Sequence, residues 1–169
     1  FWTIELPLEL YRAKKYMGFA LISFLAYIAL GWISSSVYPD FTATVLGEGY
    51  VEMTMENIEQ GNPLGVYEGG SSFMMFIQIT GNNLMVSILT FFAGILFTLG
   101  TQVMLFGNGV MLGSFQHMFL KKGLLITSFL GIWIHGAFEI SSIALSAGAG
   151  ITAGSGWLFP GSFSRVQAF

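Results

Sequence analysis

The sequence has no cysteine, only two histidines, and charge on just 9% of its 169 residues. Without cysteine there is no disulfide framework, no thiolate metal site and no cysteine nucleophile. A zinc centre needs three or four ligands, and His117 and His135 have neither an H-E-x-x-H motif nor a third histidine to complete one. Six basic residues form no stripe that could follow a phosphate backbone, and a net charge of −3 gives nucleic acid nothing to bind. A nucleophile elbow G-x-S-x-G, a phosphate loop and a dinucleotide fingerprint are all missing. These absences predict a non-enzymatic protein with no catalytic residues, no metal and no cofactor.

What the sequence has in excess is apolar surface: 54% of residues are hydrophobic and the mean hydropathy is +0.71. Soluble domains carry about a quarter charged residues, so the lipid bilayer is the expected solvent and first partner. A transmembrane β-barrel would alternate apolar and polar residues in segments of about ten, and no such repeat is present. The expected fold is all-α, a polytopic integral membrane helical bundle with short interfacial or re-entrant helices, forming a single membrane domain over residues 1–169. Opening on Phe1 and closing on Phe169, the chain reads as a fragment with both natural ends missing.

Met17 to Val37 is the first apolar run, long enough to cross about 30 Å of hydrocarbon, and it ends at Tyr38-Pro39-Asp40. Arg12, Lys14 and Lys15 precede it, whereas the segment that follows holds Glu48, Glu52, Glu56, Glu59 and Glu68. The positive-inside rule therefore predicts a cytoplasmic N-terminus and an extracytoplasmic acidic loop over 40–70. Within it, Gly49 to Gln60 shows helical spacing and reads as an amphipathic surface helix with a solvated acidic face. Ser71 to Thr80 is too short to cross before Gly81-Asn82-Asn83 and reads as interfacial or re-entrant. Leu84 to Phe106 reads as the second span, running inward towards Lys121 and Lys122, with a turn at Gly107-Asn108-Gly109 and a cytoplasmic interfacial piece from Val110 to Leu120. Gly123 to Phe159 fits either two short crossings or one long helix followed by a glycine-rich re-entrant piece, and the two alternatives place Arg165 on opposite sides.

Two ionisable residues, His135 and Glu139, sit deep in an apolar run at i, i+4, so they share a helix face. Burying a charge in a membrane segment costs about 2.5 kcal/mol or more on insertion scales, so such a pair must share a proton, bond to a neighbouring helix or face water. It can serve as a structural clamp, as part of an ion, proton or substrate pathway, or as a partner contact. The same face continues through Ser142 and Ser146 towards Gly150. A second polar stripe, Asn83, Ser87, Thr90, Gly94, Thr98 and Thr101, recurs at steps of three and four, as do faces through which membrane helices approach closely.

GNNLMVSILTFFAGILFTLGTQVMLFGNGVMLG (Gly81 to Gly113), with paired asparagines, an apolar run with internal glycines and a closing Asn-Gly, resembles the stage II sporulation protein M family. HGAFEISSIALSAGAGI (His135 to Ile151) and LFPGSFSR (Leu158 to Arg165) resemble its His-Gly, Glu, small-residue helix and Pro-Gly signature. The resemblance covers about half the chain. It implies a multi-pass protein of a prokaryotic cytoplasmic (inner) membrane; in spore formers such a protein works with peptidoglycan-degrading partners during engulfment. The residues it singles out are Asn82, Asn83, Asn108, Gly109, His135, Gly136, Glu139, Gly148, Gly150, Pro160 and Gly161. It further implies a more basic segment before Arg12 and another span after Phe169. The first expectation for function is a scaffold or assembly subunit of a cell-envelope complex, its partners other membrane or envelope proteins and a second copy of itself. The alternative is a transporter or channel subunit with a polar route at His135 and Glu139.

Overall fold

The computed structural model describes residues 1–63, 65, 72–96 and 98–159, and the side chains of these except 72, 96 and 132–135. Among the described residues every regular element is a helix: α1 (Glu5–Arg12), α2 (Lys14–Val37), α3 (Phe41–Leu46), α4 (Glu48–Glu59), α5 (Ser72–Leu96), α6 (Thr98–Lys121) and α7 (Leu125–Leu158). In lipid an unpaired backbone amide has no water to turn to, so an apolar run completes its own hydrogen bonds as a helix. Three helices, α2, α5 and α6, are long and apolar enough to cross a membrane, and α7 makes a fourth if its two arms, Leu125–Gly131 and Gly136–Leu158, are one span bent by 72°. The chain is an all-α polytopic membrane protein.

Stop signals are local. Tyr38 leaves α2 in an extended conformation, as a residue before proline must, and Gly61 (φ 78°) and Gly123 (φ 71°) turn the chain after α4 and α6 through the left-handed region. α3 and α4 then fold back over the end of α6, where Phe115, Met118 and Phe119 meet Leu46, Tyr50, Val51 and Met55. Glu48, Glu52, Glu56 and Glu59 stay exposed on α4, in keeping with a solvated acidic face. Glu68 lies outside the described residues.

Two interruptions expected from the sequence are absent. Gly81-Asn82-Asn83 does not break the chain: α5 runs through it, and the Asn83 amide nitrogen donates to the Ile79 carbonyl one turn back at 2.9 Å. Gly107-Asn108-Gly109 is likewise helical within α6, and Asn108 donates to the Met104 carbonyl at 2.8 Å. Asparagine breaks helices in water by offering the backbone alternative partners; in an apolar setting its side chain bonds to its own helix instead. Ser71 to Thr80 and Val110 to Leu120 are therefore parts of long helices, and the second span is not Leu84 to Phe106. The helix ends at Leu96, and a new one begins at Thr98. Thr101 donates its hydroxyl to the Thr90 carbonyl at 3.2 Å, a separation of eleven residues that would be about 16 Å along a straight helix, so α6 runs back alongside α5.

Contacts fix the directions. Gly109 meets Tyr27, Gly113 meets Ile28 and Trp32, and the His117 ring stands edge-on to Trp32 at 5.6 Å, so α6 ascends parallel to α2. His117 is buried in that seam rather than lying at an interface. Gly150 meets Phe91 and Gly154 meets Gly94, so α7 descends parallel to α5. Lys121 and Lys122 consequently emerge on the same face as α3 and α4, opposite Arg12, Lys14 and Lys15. The inward run ending at Lys121 that charge counting suggested is overturned: helix pairing, worth more than two lysines, sets the direction. α7 takes neither of the two paths considered for Gly123 to Phe159, being one bent helix that returns the chain to the face of α1.

Candidate functional site

The bend in α7 opens a space beneath it. Gly131 and Gly136 flank the bend and line a half-open cavity of about 1350 Å³ between α2, α5, α6 and α7. Its floor, near the middle of the bundle, is Phe24 of α2 and Leu112 of α6. Gln78, Asn82, Asn83 and Ser87 enter from α5, Asn108 from α6, and Glu139, Ser142 and Ser146 from α7.

The hydrogen-bond directions determine what these groups offer. A backbone carbonyl only accepts, so Asn83 and Asn108 must each turn an amide nitrogen to the helix, which leaves each side chain its amide oxygen as an acceptor and one further N–H as a donor. Ser142 spends its hydroxyl on the Phe138 carbonyl at 2.8 Å. The Ser87 hydroxyl is buried and has no hydrogen-bond partner among the described residues, although its residue is only 9% exposed. Glu139 is partly buried, has a partner of its own, and adds the carboxylate. Among the described residues no lysine, arginine or histidine lines the cavity.

A shallow surface groove of about 580 Å³ adjoins it, lined by Leu6 and Leu10 of α1, Met17 of α2, and Ile88, Phe91 and Phe92 of α5. Leu84, Ser87, Leu145 and Ser146 line both, so the two spaces meet at the seam between α5 and α7. Below that junction the seam closes, because a Cβ placed on Gly94 would strike the Gly150 backbone and, at 2.5 Å, the Thr101 hydroxyl, and one on Gly154 would strike the Gly94 carbonyl.

The residues singled out in the sequence are thus distributed as follows. Asn83, Ser87, Glu139, Ser142 and Ser146 share the cavity with Asn82, Asn108 and Gly136. The stripe from Asn83 to Thr101 is not one helix face: Asn83, Ser87, Thr90 and Gly94 belong to α5, Thr98 and Thr101 to α6, and the reversal between the helices brings Thr101 to Thr90. Thr90 and Thr101 are fully buried, with Thr90 also bonded to the Val86 carbonyl at 2.7 Å, so they tie the hairpin rather than line a route. Asn108 and Gly109 form no turn; Gly109 lies against Tyr27 and the Phe24 carbonyl. The His135 side chain, Pro160, Gly161 and Arg165 lie outside the described residues, so the His135–Glu139 pairing is not described.

Sequence reasoning missed the close glycine contacts and α1. Gly31, Gly109 and Gly113 place α2 and α6 backbones in contact, and Ser114 donates to the Gly31 carbonyl at 3.5 Å. The signal was the spacing G-V-M-L-G from Gly109 to Gly113, repeated as G-I-T-A-G from Gly150 to Gly154.

No curated protein and no solved structure matches the chain. The family model described as Stage II sporulation protein M matches residues 20–169, which take in α3 to α7 and most of α2. With the paired asparagines, Asn108 and Glu139 gathered at one cavity inside that match, the chain belongs to the stage II sporulation protein M family.

Proposed function

We propose that this chain is a non-enzymatic transport subunit of a prokaryotic cytoplasmic membrane, in which a polar solute or ion passes through the cavity beneath the α7 bend. One observation carries this reading: Asn83, Asn108 and Glu139, from three different helices, converge on one space within the bundle. Polar groups at such depth are costly, and facing a cavity offsets that cost. The face carrying Arg12, Lys14 and Lys15 is cytoplasmic under the positive-inside rule, which makes the face of α4 extracytoplasmic.

The test is flux of protons, monovalent cations and small organic solutes in liposomes, wild type beside Glu139→Gln. A flux lost in a variant that inserts and purifies like wild type supports the reading. Equal flux in both, or none in either, rejects it.

A scaffold reading is favoured by one specific observation. α4 is held over the end of α6 with Glu48, Glu52, Glu56 and Glu59 all exposed, an acidic face ready for a basic partner. Cross-linking from Glu56→Cys in whole cells tests it; a specific envelope protein captured at Glu56 and not at Trp2→Cys is the expected result under that reading.

A further inference from the structure

We infer that the cavity and the adjoining groove together hold one membrane lipid, with an uncharged sugar headgroup in the cavity and an acyl chain in the groove. The inference rests on reading the cavity as a solute site and names the class of solute. Depth selects the source of the ligand. Leu84 stands at the midpoint of α5, and Phe92 lies about 12 Å further along, inside the roughly 15 Å half-thickness of a hydrocarbon core. Leu84, Ile88, Phe92 and Leu145 are exposed at the groove, so in a bilayer they lie against lipid rather than water. Apart from Ser87 and Ser146 at the junction, every described side chain that lines the groove is apolar.

An acyl chain gains little by leaving other chains for an apolar groove, so selection falls to the headgroup. Four carboxamides, Gln78, Asn82, Asn83 and Asn108, line the cavity, and a carboxamide carries acceptor and donor on one group. Asn83 and Asn108 keep both after each gives one N–H to its own helix. A sugar hydroxyl likewise donates and accepts, so a cluster of hydroxyls finds complementary partners here. Neutral amides offset no charge, and an ionised headgroup would leave water at a far higher cost than a hydroxyl. Glu139 has a partner of its own, and hydroxyl recognition does not call on its charge. At about 1350 Å³ the cavity exceeds the roughly 300–1,000 Å³ of pockets for drug-sized ligands, ample for a sugar. Ser87 marks the passage from head to tail: its hydroxyl is buried, lacks a partner among the described residues, and belongs to a residue that lines both spaces. Leaving it unpaired is costly, and the glycosidic or ester oxygen linking a lipid's head to its chain would accept its hydrogen. The headgroup therefore lies on the α4 side of the midplane and the chain on the α1 side.

The experiment uses the full chain in phosphatidylcholine nanodiscs with a trace of glucosyl diacylglycerol that carries a diazirine midway along one acyl chain. Photolabelling concentrated in residues 84–92 and 145–149 is the expected result. Unlabelled glucosyl diacylglycerol should displace it at least tenfold more effectively than diacylglycerol, phosphatidylglycerol or free glucose. Ala149→Trp, which fills the groove, should abolish the labelling. Asn83→Leu, which keeps the α5 backbone bonds, should weaken displacement by the glycolipid about tenfold and remains informative if the tryptophan variant fails to fold. Labelling spread evenly over the lipid-facing helices, equal displacement by phosphatidylglycerol or free glucose, or a sugar preference unchanged in both variants would overturn the inference. Small-solute flux that depends on Glu139, with no sugar-selective labelling, would reject the lipid and leave the transport reading intact; sugar-selective labelling without flux would do the reverse.

Discussion

The two long seams of the bundle are built from the same parts and end differently. Along α2 and α6, close contact runs without a break from Phe24 and Leu105 through Gly109 and Gly113 to Trp32 and His117. Along α5 and α7, Gly94, Gly150 and Gly154 make an equally close contact in the lower half, and then the helices part at the 72° bend. Helices in lipid have no hydrophobic drive to associate, since acyl chains are as apolar as leucine; small residues that let backbones meet decide where they adhere. Where the glycines face a partner backbone the seam is shut. Where Asn83, Ser87 and Glu139 occupy the corresponding positions it is open.

The largest effect that could break this comparison is topological. Residues 1–169 hold no cysteine, so single cysteines introduced among them report on the side from which they are reached. Parallel α2 and α6 require Glu56→Cys and Lys122→Cys to be labelled from one side of the membrane and Trp2→Cys from the other. Labelling of Lys122→Cys together with Trp2→Cys would show that α6 does not run parallel to α2.

Next in size are the glycine contacts. A side chain on Gly113 would meet the Ile28 carbonyl and the Trp32 nitrogen at 2.8 Å, and backbone cannot yield as a side chain can. Gly113→Val should cost about 3 kcal/mol or prevent folding, and Gly154→Val should cost about as much through the Gly94 carbonyl, both near the upper end for overpacking. Gly107→Ala meets nothing within 4 Å and should change stability by no more than about 1 kcal/mol, in the stabilising direction. Unfolding in mixed micelles measures all three, and a tolerated Gly113→Val would show that the shut seam is not held by backbone contact.

A smaller effect sharpens the comparison. Tyr27 donates to Gln102 at 3.1 Å across the α2–α6 seam, and the Gln102 amide nitrogen is buried without a partner among the described residues. Tyr27→Phe should cost about 0.6 kcal/mol, the average for hydrogen bonds between membrane helices. A cost several times greater in the same unfolding assay would mean that polar bonds, not glycine contacts, hold that seam.

Much of this was legible in the residues. The membrane class followed from composition, the first span from the run Met17 to Val37, α4 from the spacing of Glu52, Glu56 and Glu59, and the family from the stretches around Asn83, Asn108 and His135. The element boundaries from Ser71 onward were misread for one shared reason. Gly-Asn signals were weighed as they act in water, where asparagine competes for the backbone, whereas Asn83 and Asn108 bond within their own helices. The lysine pair at Lys121 misdirected the topology because two charges are a weak vote against a full helix interface.

By itself, then, the sequence determined the solvent, the all-helical class and the identities of the polar residues, because these depend on local composition and on spacing along a single helix. Only the tertiary structure decided that α6 runs parallel to α2, that the stripe from Asn83 to Thr101 folds back on itself, and that asparagines from α5 and α6 share a cavity with Glu139. Those relations join residues far apart in the chain, and they depend on which backbones can touch, through Gly31, Gly94, Gly109, Gly113, Gly150 and Gly154, a condition that no stretch of sequence carries alone.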